Sequence, residues 1–159
     1  MHDSLLKRII AATRANVLPD AAGREPAEAV RQRLIGTWRL VAIDNSPLRP
    51  YRGEHPIGLL FYDHAGNMAV QIAPSRPRAA FAGALPTAHE ALDACLGYTA
   101  YFGTYSVDAA RQVVVHHRDA NLNPGATGDY LRRYRFLSER EVVLMPVEND
   151  VGLRWERIG

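Results

Sequence analysis

The spacing of apolar residues changes at Gly36. Ahead of it the spacing is helical. Leu5, Leu6, Ile9 and Ile10 share one stripe behind Asp3 or Ser4 as a cap, which predicts a first helix. The run 17–23 breaks it. A second short helix starts at Pro26, a good first-turn residue, and carries Ala29, Val30 and Arg33 into Leu34. From Gly36 onward apolar and polar residues alternate. The alternation predicts strands over about 36–44, 57–63, 68–73, 98–107, 113–118, 129–137, 142–147 and 152–158.

Turn residues separate these runs. His64-Ala65-Gly66-Asn67 reads as a hairpin turn, with Gly66 and Asn67 expected at positive φ. The stretch 45–53 is a long loop rich in turn formers. Pro74, Pro77 and Pro86 bracket an insertion between the third and fourth strands. Its second part, 87–96, reads as a helix: Thr87 and Glu90 form a capping box and Gly97 ends it. A helical insertion of this kind makes a lid where a ligand enters. The chain is therefore expected to be mostly β, a helical extension over 1–33 followed by a β domain over 34–159. Eight antiparallel strands joined by tight turns make a barrel or a sandwich. A barrel of that size holds side chains or one small ligand. Whether the helix before Gly36 closes one barrel mouth or packs outside is left open by the sequence.

Composition narrows the setting. The 159 residues suffice for one sizeable core, and a net charge of +2 is too small to argue for nucleic acid or membrane, so neither is expected as a partner. Cys95 is the only cysteine, so no internal disulfide supports secretion. The N-terminus mixes Asp3, Lys7 and Arg8 with short apolar pairs, unlike a signal peptide or a membrane span, and a cytoplasmic protein is the default expectation. Lys7, the single lysine, lies in the expected first helix, which argues against a Schiff-base lysine in the β domain.

Two sets of residues carry a resemblance. Gly36-Thr37-Trp38 opens the first strand, and Arg154 and Arg157 flank Trp155 in the last. That pairing resembles the lipocalin and wider calycin barrels, which implies that Trp38 plugs the barrel floor under Arg157, or under Arg154 if the register slips. More specifically, Gly58-Leu59-Leu60-Phe61-Tyr62, Gly66-Asn67-Met68, Tyr101-Phe102-Gly103-Thr104-Tyr105, Val114-Val115-His116-His117, Asn123-Pro124, Gly128, Arg133 and Trp155-Glu156-Arg157 occur in one order. Over 34–158 they look like the bacterial and fungal lipocalin-like domain family. The resemblance implies an eight-stranded lipocalin-like barrel with a cavity. It implies no single activity, although some members accompany natural-product biosynthesis genes.

The candidate chemistry lies on the expected fourth, fifth and sixth strands. His116 and His117 are adjacent, so they point to opposite faces and do not chelate one metal without a bulge. Alternation alone does not say which is inside; the resemblance favours His116. Tyr101, Gly103 and Tyr105 share one face. Gly103 there makes either room for a ligand or a bend in the barrel. Of Arg132, Arg133 and Arg135, at least one faces inward and needs a partner; Arg133 holds the position the resemblance indicates. Leu60, Tyr62, Met68 and Val70 are the expected apolar walls, and Asn123 reaches a mouth or merely forms a turn. Cys95 reads as a small buried hydrophobe.

Two functions fit these parts. One is a cofactor-independent enzyme: an isomerase, cyclase, dehydratase or hydratase with His116 as acid or base and Arg133 with Tyr101 or Tyr105 holding an oxyanion. The other is a non-catalytic carrier, sensor or resistance protein for a small hydrophobic molecule. Neither needs a cofactor or a metal. A homodimer is an assembly the sequence allows. A haem-binding barrel using one inward histidine ranks third.

Overall fold

The computed structural model describes residues 23–159. The helix expected around Leu5–Ile10, with Lys7, lies outside them. The first described helix, α1 (Ala27–Leu34), begins directly after Pro26. Eight strands follow: β1 (Gly36–Asp44), β2 (Ile57–Tyr62), β3 (Asn67–Ala73), β4 (Thr99–Asp108), β5 (Val113–Asn121), β6 (Gly128–Phe136), β7 (Glu141–Pro146) and β8 (Gly152–Arg157). Each pairs antiparallel with the next, and β8 returns to β1, closing the barrel. Of the barrel and sandwich that alternation allows, the chain forms the barrel. Closure removes the unpaired edges an open sheet would present.

The two ends of the barrel differ. One is a packed floor. Val30 and Leu34 of α1 are fully buried with Trp38 and Trp155, and Trp38 Nε1 donates to the Leu34 carbonyl at 2.7 Å. The helix before the first strand therefore caps the barrel. Its apolar stripe supplies the contacts that an open mouth would leave wet. Arg157 stacks on the Trp38 ring, 4.4 Å from its centroid, and donates to the carbonyls of Ile35 and Arg33. This is the tryptophan–arginine floor expected from the two termini, in the Arg157 register. Such a stack is worth roughly 0.5–2 kcal/mol. Gly36 has a φ of 139°, and a Cβ there would meet the Gly159 carbonyl oxygen at 2.5 Å and the Arg157 guanidinium at 2.7 Å. The positive φ and the backbone contact explain the glycine two residues before the tryptophan.

The β2–β3 turn also lies at the floor. Gly66 takes positive φ there. Asn67 does not: it opens β3 while the Asp63 carboxylate accepts from its backbone and side-chain amides, both at 2.7 Å. A side chain thus does the work expected of a second left-handed residue.

The other end is open and carries the long connections. The β1–β2 loop contains one short helix, α2 (Arg49–Arg52), where turn residues alone predict only loop. The insertion between β3 and β4 carries α3 (Ala88–Cys95), with the expected Thr87–Glu90 capping box. Arg76 clamps α3 to the rim. Its guanidinium pairs with Asp93 at 2.8 Å and donates to the carbonyls of Asp93 and Leu96. Cys95, on the last turn of α3, is exposed rather than buried, because α3 buries no side chain fully.

Between Phe102 and Gly103 the β4–β5 register shifts, so Phe102 opposes Ala120 while Gly103 opposes Arg118. Asp119 is the extra residue of a β-bulge. A Cβ on Gly103 would run into the His117 carbonyl. Of the two readings of Gly103, the bend holds: the glycine lets backbone approach backbone. The bulge also carries β5 three residues past the expected end.

Candidate functional site

Because strand direction alternates around the barrel, each strand has a floor half and an open half. Tyr62, Met68 and Tyr105 belong to the floor half, and Leu60 packs with them in the core. The interior there is filled, so Leu60, Tyr62 and Met68, expected as ligand walls, are instead packed core. Inside the barrel, Val70 borders a residual space of about 20 Å³ beside Ile72, Leu144 and Trp155. Tyr105 donates to the Asp63 carbonyl at 2.9 Å beside the floor turn and stays out of the open half.

The open half holds a cavity of about 450 Å³. Its apolar walls include Ile72, Leu96, Val151 and Leu153. Its polar groups include Arg52, Thr99, Tyr101, Arg118, Asn121, Tyr130 and Arg132. Asn123 lies on its rim, in the loop after β5, as one of its two readings has it. Cys95, Leu96 and Gly97 place the end of α3 over it.

The bulge assembles this wall. Regular alternation would put Arg118 and Asn121, three residues apart, on opposite faces. The extra residue at Asp119 turns both inward. Re-aiming side chains is a common use of bulges near functional sites.

His116 is inside and 1% exposed, and His117 is outside, bonded to Asp129 at 2.6 Å and Ser106 at 2.9 Å. His116 does not reach the cavity. Both its ring nitrogens are taken by phenols: Nε2 lies 2.6 Å from the Tyr62 hydroxyl and Nδ1 lies 2.9 Å from the Tyr101 hydroxyl. With both nitrogens engaged, the ring has none to offer a haem iron. Burial, then Arg132 and Arg118, hold the imidazole well below its ordinary pKa of 6.5, so it is neutral. Nε2 is the one hydrogen-bonding group beside the fully buried Tyr62 hydroxyl among the described residues; the hydroxyl must donate to it to keep its proton satisfied, which assigns the ring proton to Nδ1. Nδ1–H then donates to the Tyr101 oxygen. The proton of Tyr101 is left to point at the cavity. Burial raises the Tyr101 pKa and Arg132 opposes that rise, so the phenol is a proton donor near neutrality.

The arginine inside β6 is Arg132, not Arg133. Register decides it. Arg132 sits opposite Val114 on the face that His116 shares, whereas Arg133 sits opposite Val113 on the other. Arg132 is 8% exposed and stacks 4.0 Å from the Tyr130 ring centroid. Arg133 lies outside, donates to the carbonyls of Pro146 and Asn149 and pairs with Asp150 at 3.6 Å. Arg118 stacks on Tyr130 from the other strand, at 4.6 Å. Arg52 reaches in from α2 and donates to Thr99 at 2.7 Å. Of the expected site residues, then, Tyr101 and Asn123 border the cavity, and His116 stands behind Tyr101. Arg52, Arg118, Tyr130 and Arg132 were missed. The Arg132-Arg133-Arg135 run pointed to one inward arginine without identifying it, and nothing in the sequence singles out Arg52.

A second depression, about 630 Å³, lies outside the barrel over β2 and β3, lined by Ile57, Leu59, Phe61 and Ala69. Few polar groups converge there, and it is a groove on the sheet's outer face.

The family profile described as "Lipocalin-like domain" matches residues 35–157. No curated protein matches the chain.

Proposed function

We propose that this chain, which belongs to the lipocalin-like domain family, binds a small, largely hydrophobic molecule in the open half of its barrel. The observation that carries this reading is the cavity of about 450 Å³ beneath α3. Its size falls within the usual range for small-molecule sites, and it joins apolar walls to a few convergent polar groups. The packed floor below it means that a ligand enters and leaves past α3.

A second reading is a cofactor-independent enzyme of the isomerase, cyclase, dehydratase or hydratase kind. The Tyr62–His116–Tyr101 chain favours it. In this reading Tyr101 touches the substrate and His116 is a positioning residue that holds the phenol and backs its proton. Arg132 takes the charge-stabilising place first given to Arg133.

One experiment separates the readings. The protein is purified from its own host and any retained molecule is identified by native mass spectrometry. A molecule recovered unchanged after prolonged incubation supports binding; conversion supports catalysis; a preparation that holds and takes up no small molecule removes both. Tyr101→Phe then reports the role of the hydroxyl. If it only orients ligand, affinity is expected to fall about fivefold, the value of one hydrogen bond of roughly 1 kcal/mol. If it transfers a proton, turnover is expected to fall by about 10²–10⁴-fold with KM little changed.

We assign the homodimer, if it forms, to the outer face of β2, where Ile57, Leu59 and Phe61 are exposed. Leu59→Arg is expected to convert a dimer to monomer in sedimentation velocity. A wild type that sediments as a monomer at high concentration removes this expectation.

A further inference from the structure

Arg52, Arg118 and Arg132 enter one cavity from three different segments of chain. Among the described residues lining that cavity, none is acidic. Several arginines elsewhere are paired with acids: Arg33 with Glu25, Arg39 with Glu156, Arg76 with Asp93 and Arg133 with Asp150. The three cavity arginines meet only neutral groups. Arg118 donates to the Gly128 and Thr127 carbonyls, Arg52 donates to Thr99, and Arg132 stacks on Tyr130.

We propose that the cavity takes an amphiphilic ligand head first, its oxyanion (carboxylate or phosphoryl) received by Arg132, Arg52 and the Tyr101 hydroxyl, with Arg118 alongside. This rests on the ligand-binding reading above and adds the chemical class of the ligand.

The physical reasons are three. Burying a guanidinium without an opposite charge is costly. Arg132 nevertheless stands almost fully buried between Tyr101 and Tyr130, where an apolar side chain would serve folding better. Donors outnumber acceptors at this spot. The Arg52 Nε is buried with no partner, and the Tyr101 proton is unspent because its oxygen already accepts from His116. An oxyanion fills both vacancies with charge-assisted bonds. Finally, the cavity rejects the alternatives. A neutral ligand would strip water from three guanidinium groups and return no charge, and a cation would meet three like charges.

The orientation follows from depth. Beneath Arg132 only about 20 Å³ of space remains, too little for a ligand's tail. The head therefore stops at Arg132 and Tyr101. The apolar body lies along Leu153 and Val151 toward Leu96 at the end of α3.

The test compares probes of one shape and different charge: 2-naphthoate, 2-naphthyl phosphate and 2-naphthamide, titrated calorimetrically into the full chain. At least one of the two anions is expected to bind tenfold or more tightly than the amide, and the stronger of them identifies the head group. Arg132→Gln is expected to remove most of that preference, and Arg52→Gln about threefold or more. Arg133→Gln, on the outer face, is expected to keep it, and Leu59→Arg in the outer groove is expected to leave naphthoate affinity unchanged. If Arg132→Gln fails to fold, Arg52→Gln carries the decision. An amide that binds as tightly as the anions, or a preference that survives the cavity substitutions, overturns the oxyanion assignment and leaves the binding reading standing. If none of the three probes binds, both fall.

Discussion

Trp38→Ala is expected to destabilise the protein by roughly 3–5 kcal/mol, the range for truncating a buried aromatic. The indole is fully buried and does three things at once. It packs against Val30 and Leu34 of α1 in the floor core. It donates to the Leu34 carbonyl, a group at the end of α1 with no later turn to bond. It also carries the Arg157 guanidinium on its face. Truncation opens a cavity, orphans the carbonyl and leaves Arg157 without its ring. Because that ring joins α1, β1 and β8, the loss should appear in global unfolding rather than in fraying of the helix alone. Urea denaturation followed by far-UV circular dichroism measures it. Trp38→Phe, which keeps a ring but not the N–H, is expected to retain more than half of the stability lost on going to Ala. A Trp38→Ala protein with an unchanged midpoint would mean the floor does not hold the barrel together.

Acid is expected to destabilise the fold through His116. The sign follows from the two states. In the unfolded chain the imidazole titrates near 6.5; in the folded protein burial, Arg132 and Arg118 hold its pKa well below that. Above pH 6.5 the ring is neutral in both states and the folded protein pays nothing. As pH falls through 6.5 the unfolded chain takes up a proton that the folded protein refuses. Stability is then lost at up to about 1.4 kcal/mol per pH unit until the folded pKa is reached. The groups facing the ring favour this. Tyr62 and Tyr101 are neutral phenols with raised pKa values, and the charges that act on the ring, Arg132 and Arg118, are cations that oppose an imidazolium. Carboxylates with lowered pKa values, such as Glu54, Asp63 and Glu90, act in the same direction but only at lower pH. Thermal unfolding between pH 7 and pH 5 isolates the histidine. The wild-type Tm should fall over that window, and His116→Gln, whatever its stability at pH 7, should show a flatter profile. Parallel profiles for the two proteins would show that His116 titrates normally in the fold.

Much of the fold was legible in the chain. Period-2 alternation, punctuated by Gly, Pro and Asn, placed eight strands within a few residues of β1–β8, and the Thr87–Glu90 box placed α3. These signals are local: a strand's burial pattern and a helix cap are set by neighbours a few residues away. The Trp38–Arg157 floor spans nearly the whole chain. It was legible because a known barrel type pairs those positions, not because spacing indicates it.

The site was less legible, and for reasons that can be named. Alternation says which residues share a face, but not which face is inside or which half of a barrel is packed. That ambiguity put Leu60, Tyr62 and Met68 in a cavity wall when they fill the floor. It left His116 and His117 undecided and favoured Arg133 where the pairing of β6 with β5 turns Arg132 inward. The bulge at Asp119 breaks alternation altogether, and with it the rule that would have separated Arg118 from Asn121. Arg52 lies on a loop helix, and only closure of the barrel brings it beside Arg132. The eight strands, their order and most of the residues able to do chemistry follow from local pattern along the chain. Which of those residues meet is set only in the folded barrel, because register and closure depend on contacts between strands far apart in the chain.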